Sequence, residues 1–298
     1  MVSLVVCSIN PKFLKNLQEN VSLTIGVEHE WLIWDNRKDN KGLCEVYNNL
    51  AKNARFPYVC FLHEDLLFRS ENWGSYLVKL MDDDPEIGLI GIAGGKYKSR
   101  LYSGWYSGAN NLDYYNVTHR ESGEDLKLLS PQDWKRNEEP VVCIDGIFMF
   151  CAKNIWEKYS FDETLLKGFH FYDIDFSLLI AESNKVVVTN KVDVVHLTTG
   201  GDYGNKWVEQ AFLYHDFRNN HLPSSVVSVD KEKIELSVAK YWLDWLKNQP
   251  ISFSNRLKWI KKQKPLWNMS LAYSITKFLF YKPLGLRGIH QYFLKKNK

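Results

Sequence analysis

Tyr58-Val59-Cys60-Phe61-Leu62-His63-Glu64-Asp65 is the stretch that decides the fold. Five apolar or aromatic residues run without a break into a histidine and two carboxylates. A strand buried on both faces reads as such a continuous run. Polar residues at its C-terminal end stand where open α/β sheets bind their ligands. Carboxylates there are suited to hold a divalent metal against a phosphate. The competing account is a strand end whose Glu64 or Asp65 is simply solvated.

On both sides of this strand the chain alternates. Val2 to Cys7 reads as a first strand, and 11–20 as a helix opened by Pro11. Residues 29–34 read as a second strand ending in Asp35-Asn36. Apolar positions 43, 46, 47, 50, 51 and 54 form a helical stripe. Beyond Asp65, 72–81 reads as a helix and 87–93 as a strand leading to Gly94-Gly95. This alternation predicts an α/β fold, a mostly parallel sheet flanked by helices.

From 96 to 140 the pattern dissolves into Gly, Ser, Asn, Tyr and Trp, as in Ser103-Gly104-Trp105-Tyr106, which reads as a long functional loop. Residues 141–150 resume as one strand with Asp145-Gly146 inside it, and 152–159 as a short helix. Asp175 reads as the cap of a helix reaching about 182. Residues 185–195 read as a strand ending at His196. The remainder looks helical, interrupted near Pro223, Pro250 and Pro265. The chain thus divides into an α/β domain, 1–204, and a helical extension, 205–298.

Charge follows that division. Residues 1–204 hold 21 Lys and Arg against 29 Asp and Glu, a net −8; residues 205–298 hold 17 against 6, a net +11. No acidic residue follows Asp244. The last 47 residues mix this basic charge with aromatics, including Arg256, Lys258, Trp259, Lys261, Lys264, Trp267, Phe278, Phe280 and Phe293. Such a segment suits an anionic membrane surface, and equally a helical cap with a solvated basic face. Nucleic acid is not expected as a partner, because no binding module is recognised and the first 204 residues are acidic.

The five cysteines, 7, 44, 60, 143 and 151, form no CxxC. They read as small buried hydrophobes of a reducing compartment, which gives the expectation of a cytoplasmic protein, peripheral at the inner membrane face. No secretory leader is read at the start, and no apolar run reaches eighteen residues. The Gly88–Lys96 stretch lacks the spacing of a phosphate loop, since Ile90 and Tyr97 stand where glycine and a hydroxyl residue are required. No GxGxxG follows the first strand, which counts against a dinucleotide enzyme.

The chemistry-bearing side chains are Asp65, Asp173, Asp175 and His196, expected to converge at one edge of a parallel sheet. Sugar transfer from a nucleoside diphosphate needs charge neutralisation at the leaving group and a base at the acceptor hydroxyl. Asp65 and His196 suit a metal ion and Asp173 a base. Asp173 as base with Asp175 as helix cap is weighed against the reverse. Asp145, a polar break in an apolar strand, needs a partner or a ligand. Trp105, on the loop, packs onto the body or stacks on a sugar.

The order of these segments resembles the inverting GT-A glycosyltransferases of the large family 2 type, over roughly residues 1–205. The resembling segments are Ser8-Ile9-Asn10, Asp35, the helix around Glu45–Ala51, His63-Glu64-Asp65, Tyr172-Asp173-Ile174-Asp175 and His196-Leu197-Thr198-Thr199-Gly200. The variant motif His63-Glu64-Asp65 resembles the streptomycin-cluster glycosyltransferase-like proteins most. The resemblance implies a GT-A, Rossmann-like fold and a Mn²⁺- or Mg²⁺-assisted transfer from a nucleotide sugar to a glycan or lipid-linked acceptor. It assigns Asp173 as catalytic base and Asp65 and His196 as metal ligands. Ser8, Asn10, Asp35, His63, Glu64 and Asp145 go to the donor; Trp105, Tyr172 and Asp175 go to the acceptor side. Two departures, His63 for the usual acid and Tyr172 for the usual Glu, leave a non-catalytic sugar-nucleotide-binding or membrane-recruitment protein as the alternative. A sugar-nucleotide pyrophosphorylase is disfavoured by the absence of a glycine- and arginine-rich turn after the first strand.

Overall fold

The computed structural model describes residues 1–109, 111–121, 124–129, 134–198, 203–263 and 269–281. Thr199 and Gly200 of the late motif, and Lys264, Trp267 and Phe293 of the basic segment, lie outside the described residues.

The first half alternates as expected: β1 (Val2–Ser8), α1 (Pro11–Thr24), β2 (His29–Asp35), α2 (Leu43–Ala51), β3 (Tyr58–Leu62), β4 (Leu66–Phe68), α3 (Trp73–Asp83) and β5 (Ile87–Gly91). Then come short strands: β6 (Ala93–Gly95), β7 (Tyr97–Lys98), β8 (Asp113–Glu121), β9 (Glu124–Leu129), β10 (Glu138–Val141), β11 (Cys143–Ile144) and β12 (Phe148–Ala152). After α4 (Lys153–Tyr159) and α5 (Tyr172–Ala181) follow β13 (Lys185–Thr189) and β14 (Val194–His196). The C-terminal part holds α6 (Asn205–Arg218), β15 (Ser224–Ser225), α7 (Lys231–Leu246), α8 (Phe253–Lys262) and α9 (Ala272–Phe280).

The main sheet has the order β10-β13-β5-β12-β3-β1-β2. Five of its strands share one direction, while β12 and β10 run against them, so the sheet is mixed. Strand alternation sorts its residues into two cores. Leu4, Val6, Cys60, Leu62, Phe148 and Phe150 face Leu17 and Val21 of α1 and Trp73 and Leu77 of α3. Val5, Phe61, Met149 and Val188 face the other way, onto α2, α4 and α5. The continuous apolar run of β3 is therefore that of a central strand covered on both faces.

Three expectations fail in the middle of the chain. Residues 96–140 are not one loop: β8 and β9 pair there, and β8 joins a second sheet of order β11-β6-β8-β14-β4. The single strand expected over 141–150 is three strands, broken at Asp145-Gly146. The strand expected over 185–195 is two strands lying in different sheets. Strands this short carry too little periodicity to be separated from their turns.

The C-terminal helices do not form a core of their own. Trp207 of α6, Trp242 of α7, Trp259 of α8 and Phe278 of α9 are all buried in the same cluster as α2 and α5. Arg256, read as part of a basic surface, is 2 % exposed. Its guanidinium donates to the carbonyls of Lys247, Gln249, Ile251 and Phe278, holding the end of α7 to α8 and α9. Among the described residues no helix is long and apolar enough to cross a membrane.

Candidate active site

The C-terminal end of β3 delivers His63, Glu64 and Asp65 as one unit. Glu64 turns back: it accepts from the Ser8 hydroxyl (2.5 Å) and from the backbone N–H of Asn10 (2.9 Å). The Asn10 side chain meanwhile caps α1. This bridge ties β3 to the β1–α1 turn and fixes Ser8, Asn10 and Glu64, the residues expected at the donor, beside one another.

Asp65 is 8 % exposed and points to a neighbour from the second sheet. β4, which starts at the next residue, pairs antiparallel with β14, with His196 opposite Leu66. That register sets His196 Nε2 3.2 Å from Asp65 Oδ2, and Thr198 donates its hydroxyl to the same oxygen at 2.7 Å. His196 thus comes from the second sheet, correcting the expectation that it closes a strand of the main one. Burial by itself would raise the Asp65 carboxyl; the hydrogen bond and charge of His196, with His63 and Thr198, outweigh it and hold the group below the usual carboxylate range.

His63 completes the group. Its Nε2 stands 3.1 Å from the Tyr172 hydroxyl, which itself donates to the Gly146 carbonyl at 3.2 Å. A Tyr172 hydroxyl donating to Gly146 accepts from His63 Nε2–H, the tautomer that keeps a lone pair on Nδ1. Burial lowers His63 and Asp65 opposes it; the net is downward, favouring the neutral imidazole a metal needs. Ligand atoms of His63, Asp65 and His196 lie within 4.8 Å of one another. His196 Nδ1 is buried with no hydrogen-bond partner. Two imidazoles and a carboxylate fit a divalent transition metal.

Asp173 stands in the first turn of α5, partly accessible, and accepts from the Gly146 N–H at 3.0 Å. Burial first, and the neighbouring Asp145 carboxylate second, push its pKa up to about 7. A carboxyl held there can carry a proton either way near neutrality. Asp145 accepts from the Trp105 indole at 2.6 Å and from the Ile147 N–H at 3.0 Å, so its partner is in the protein.

Residues 3–216 match the sequence profile of a family described as a glycosyltransferase-like family. The chain belongs to this glycosyltransferase-like family. No curated protein matches it by sequence. Among solved structures it is similar to GalNAc-T7 with UDP, GalNAc and Mn²⁺, at 12 % identity and a TM-score of 0.48, covering 95 % of this chain. The chain spans 55 % of that protein's length. It is also similar to the mannosyltransferase PcManGT of Pyrobaculum calidifontis in complex with GDP-Man and Mn²⁺, at 9 % identity and a TM-score of 0.49, covering 93 % of this chain and 84 % of that one. At these scores the two likenesses add nothing to the family membership.

Within the glycosyltransferase frame several expected residues move. Asp175 does not cap α5. The cap position is Phe171, in the left-handed region at φ 67°, with no side-chain bond. Asp175 is buried and paired with Arg218 through two hydrogen bonds of 2.6 and 3.0 Å. Tyr172, expected on the acceptor side, is 5 % exposed with its hydroxyl against His63. Asp35 sits exposed at the end of β2, bound to Arg37. Trp105 stays at the site through Asp145. A cavity of about 770 Å³ lies elsewhere, lined by residues of α2 and α4 with Asp162 and Arg218, and none of the candidate site side chains lines it.

The sequence reading missed His119. It sits on β8 directly opposite His196 in the parallel register, with ring centroids 5.1 Å apart, and its Nδ1 meets the Thr198 carbonyl at 3.1 Å. The β-forming run Tyr114-Tyr115-Asn116-Val117-Thr118 was the signal that could have found it.

Proposed function

We propose that the protein transfers a sugar from a nucleoside-diphosphate donor to an acceptor hydroxyl, with inversion at the anomeric carbon. The observation that carries this reading is the convergence of His63, Asp65 and His196 beside a carboxyl, Asp173, raised to about 7. Asp173 takes the proton from the acceptor hydroxyl, whose oxygen bonds to the anomeric carbon as the bond to the diphosphate oxygen breaks. A single base acting opposite the leaving group gives inversion. A divalent cation on His63, Asp65 and His196 would neutralise charge on the departing diphosphate. Ser8 and Asp35, at the ends of β1 and β2, mark the side for the nucleoside. The His63-Glu64-Asp65 motif supports the likeness to the streptomycin-cluster proteins.

The C-terminal segment supports a peripheral contact with an anionic membrane. Phe253, Met269, Tyr273 and Phe280 are 53, 90, 71 and 69 % exposed, in a region without a single acidic residue. Sedimentation with anionic and with neutral vesicles tests it; equal behaviour with both excludes the contact.

Calorimetric titration of UDP, GDP and CDP, with and without Mn²⁺, on wild type and Asp65→Ala tests the main reading. Binding of one nucleotide that needs both the ion and Asp65 is expected. Absence of binding by all three overturns the reading.

A further inference from the structure

A row of half-buried aromatic side chains leads away from Asp145 and Asp173. Asp145 leads into β12, which flanks β3 on one side, whereas Ser8 and Asp35 end β1 and β2 on the other. Trp105 begins the row, with its indole N–H on Asp145. Its ring meets Tyr106 edge-on at 5.6 Å, Tyr106 lies 4.8 Å from Tyr241, and Tyr241 and Trp245 stand 6.5 Å apart with ring planes within 7° of parallel. Tyr203 meets Trp245 edge-on at 5.9 Å. Burial first, and the charges of Asp145 and Asp173 after it, hold the Tyr203 hydroxyl above its ordinary range. All five keep part of their surface open to solvent, while Trp207 and Trp242 are buried and stacked at 5.2 Å.

Three separate segments bring these rings together: residues 105–106, residue 203 and α7. Packing alone would bury aromatic area as fully as it does for Trp207 and Trp242, since that is where its stabilisation lies. Partly exposed rings beginning at the Asp145 carboxylate match the two kinds of surface on a sugar. The C–H face of a pyranose stacks on the rings, and its hydroxyls donate to the acids. The opposite side of β3, with Ser8 and Asp35, is left to the nucleoside.

We infer that the Trp105–Tyr106–Tyr241–Trp245–Tyr203 row is the acceptor subsite, and that the acceptor is a carbohydrate chain laid along it with one hydroxyl at Asp173. This rests on the transfer reaction proposed above. The row offers more surface than one ring, so an oligosaccharide binds better than its monosaccharide.

The test uses the full chain with Mn²⁺ and whichever of UDP, GDP or CDP it binds. Cello-, malto- and chito-oligosaccharides of one to six residues are titrated into wild type and into Tyr203→Ala, Tyr241→Ala and Trp245→Ala, with the phenylalanine variants beside them. Melting midpoints identify variants that fold. One series is expected to bind with affinity rising with length. Each alanine variant weakens it roughly tenfold, the size of one lost stacking contact, and phenylalanine restores it. Nucleotide affinity stays at the wild-type value. If nucleotide binds but no sugar does, or if the alanine variants bind sugar as wild type does, the subsite is overturned and the transfer reading stands. If nucleotide affinity falls together with sugar affinity, the row serves the nucleobase and the subsite is overturned. Absence of nucleotide binding in wild type removes the transfer reading itself, and the acceptor role with it.

Discussion

Asp65 and His196 meet because two short strands run against each other. β14 places His196 opposite Leu66 of β4, the residue after Asp65, and Leu197 donates its N–H to the Asp65 carbonyl at 2.9 Å. The pairing fixes both backbones, so the 3.2 Å between Nε2 and Oδ2 is set before any ion arrives. Replacing either side chain by alanine leaves two of three ligands. Mn²⁺-dependent nucleotide binding is expected to fall by at least about tenfold in His196→Ala and Asp65→Ala, since even outer partners of metal ligands are worth ~10–100-fold. Calorimetry with and without the ion reads this directly.

Tyr172 acts on the metal group through His63. Tyr172→Phe removes the hydroxyl that fixes the imidazole while keeping the ring packed against Tyr47 and Phe161. Metal affinity is expected to drop about tenfold, with the melting midpoint changed little. A loss of stability with unchanged metal affinity would assign Tyr172 to the core alone.

Gly146 lets Tyr172 approach. A Cβ built there would stand 2.1 Å from the Tyr172 oxygen. Gly146→Ala is expected to cost ~1–3 kcal/mol, as overpacking does, and to weaken metal binding as Tyr172→Phe does. Chemical denaturation and Mn²⁺ titration of the same sample check both.

Asp173 is expected to show in the pH profile. A base works ionised, so transfer rises with pH through about 7, where burial and Asp145 hold this carboxyl. The same raised value makes the folded state keep a proton that the unfolded chain gives up from about pH 4 upwards. Its contribution to stability therefore declines as pH rises from about 4 to 7. Asp173→Asn is expected to remove the limb at 7, lower the rate by ~10²–10⁴ and leave nucleotide binding intact. Transfer at the wild-type rate in this variant would move the base elsewhere.

The Asp175–Arg218 pair is a structural element, with side chains 3 and 16 % exposed. Removing Asp175 leaves Arg218 with Asp162 alone, at 3.2 Å, so the cost falls below the about 3–5 kcal/mol of a fully stranded buried charge. Asp175→Ala is expected to lower the melting midpoint, while any folded fraction binds Mn²⁺ and nucleotide as wild type does.

The first half of the fold was legible because its elements are long and periodic. β3 is a continuous apolar run and α2 a stripe at 3.6-residue spacing, and both patterns follow from burial on two faces and on one. His63-Glu64-Asp65 was legible as a site for the same reason: polar residues ending a buried strand must be satisfied by a partner or a ligand. Asp173 and Asp175 were harder. Both lie in one helical turn, and only the place of Arg218, 43 residues on from Asp175, separates the structural acid from the proposed base.

The amino-acid sequence by itself determined the alternating core, the acidic end of β3 and two of the three candidate ligands, Asp65 and His196, since local periodicity and chain order are enough for these. The tertiary structure alone decided which of them meet. His196 reaches Asp65 through the second sheet, His119 stands beside His196 across a register, and Tyr203 and Trp245 meet each other from segments about forty residues apart. Such contacts depend on the pairing of strands only two to nine residues long and on helices sharing one core. Neither leaves a periodic trace in the residues themselves.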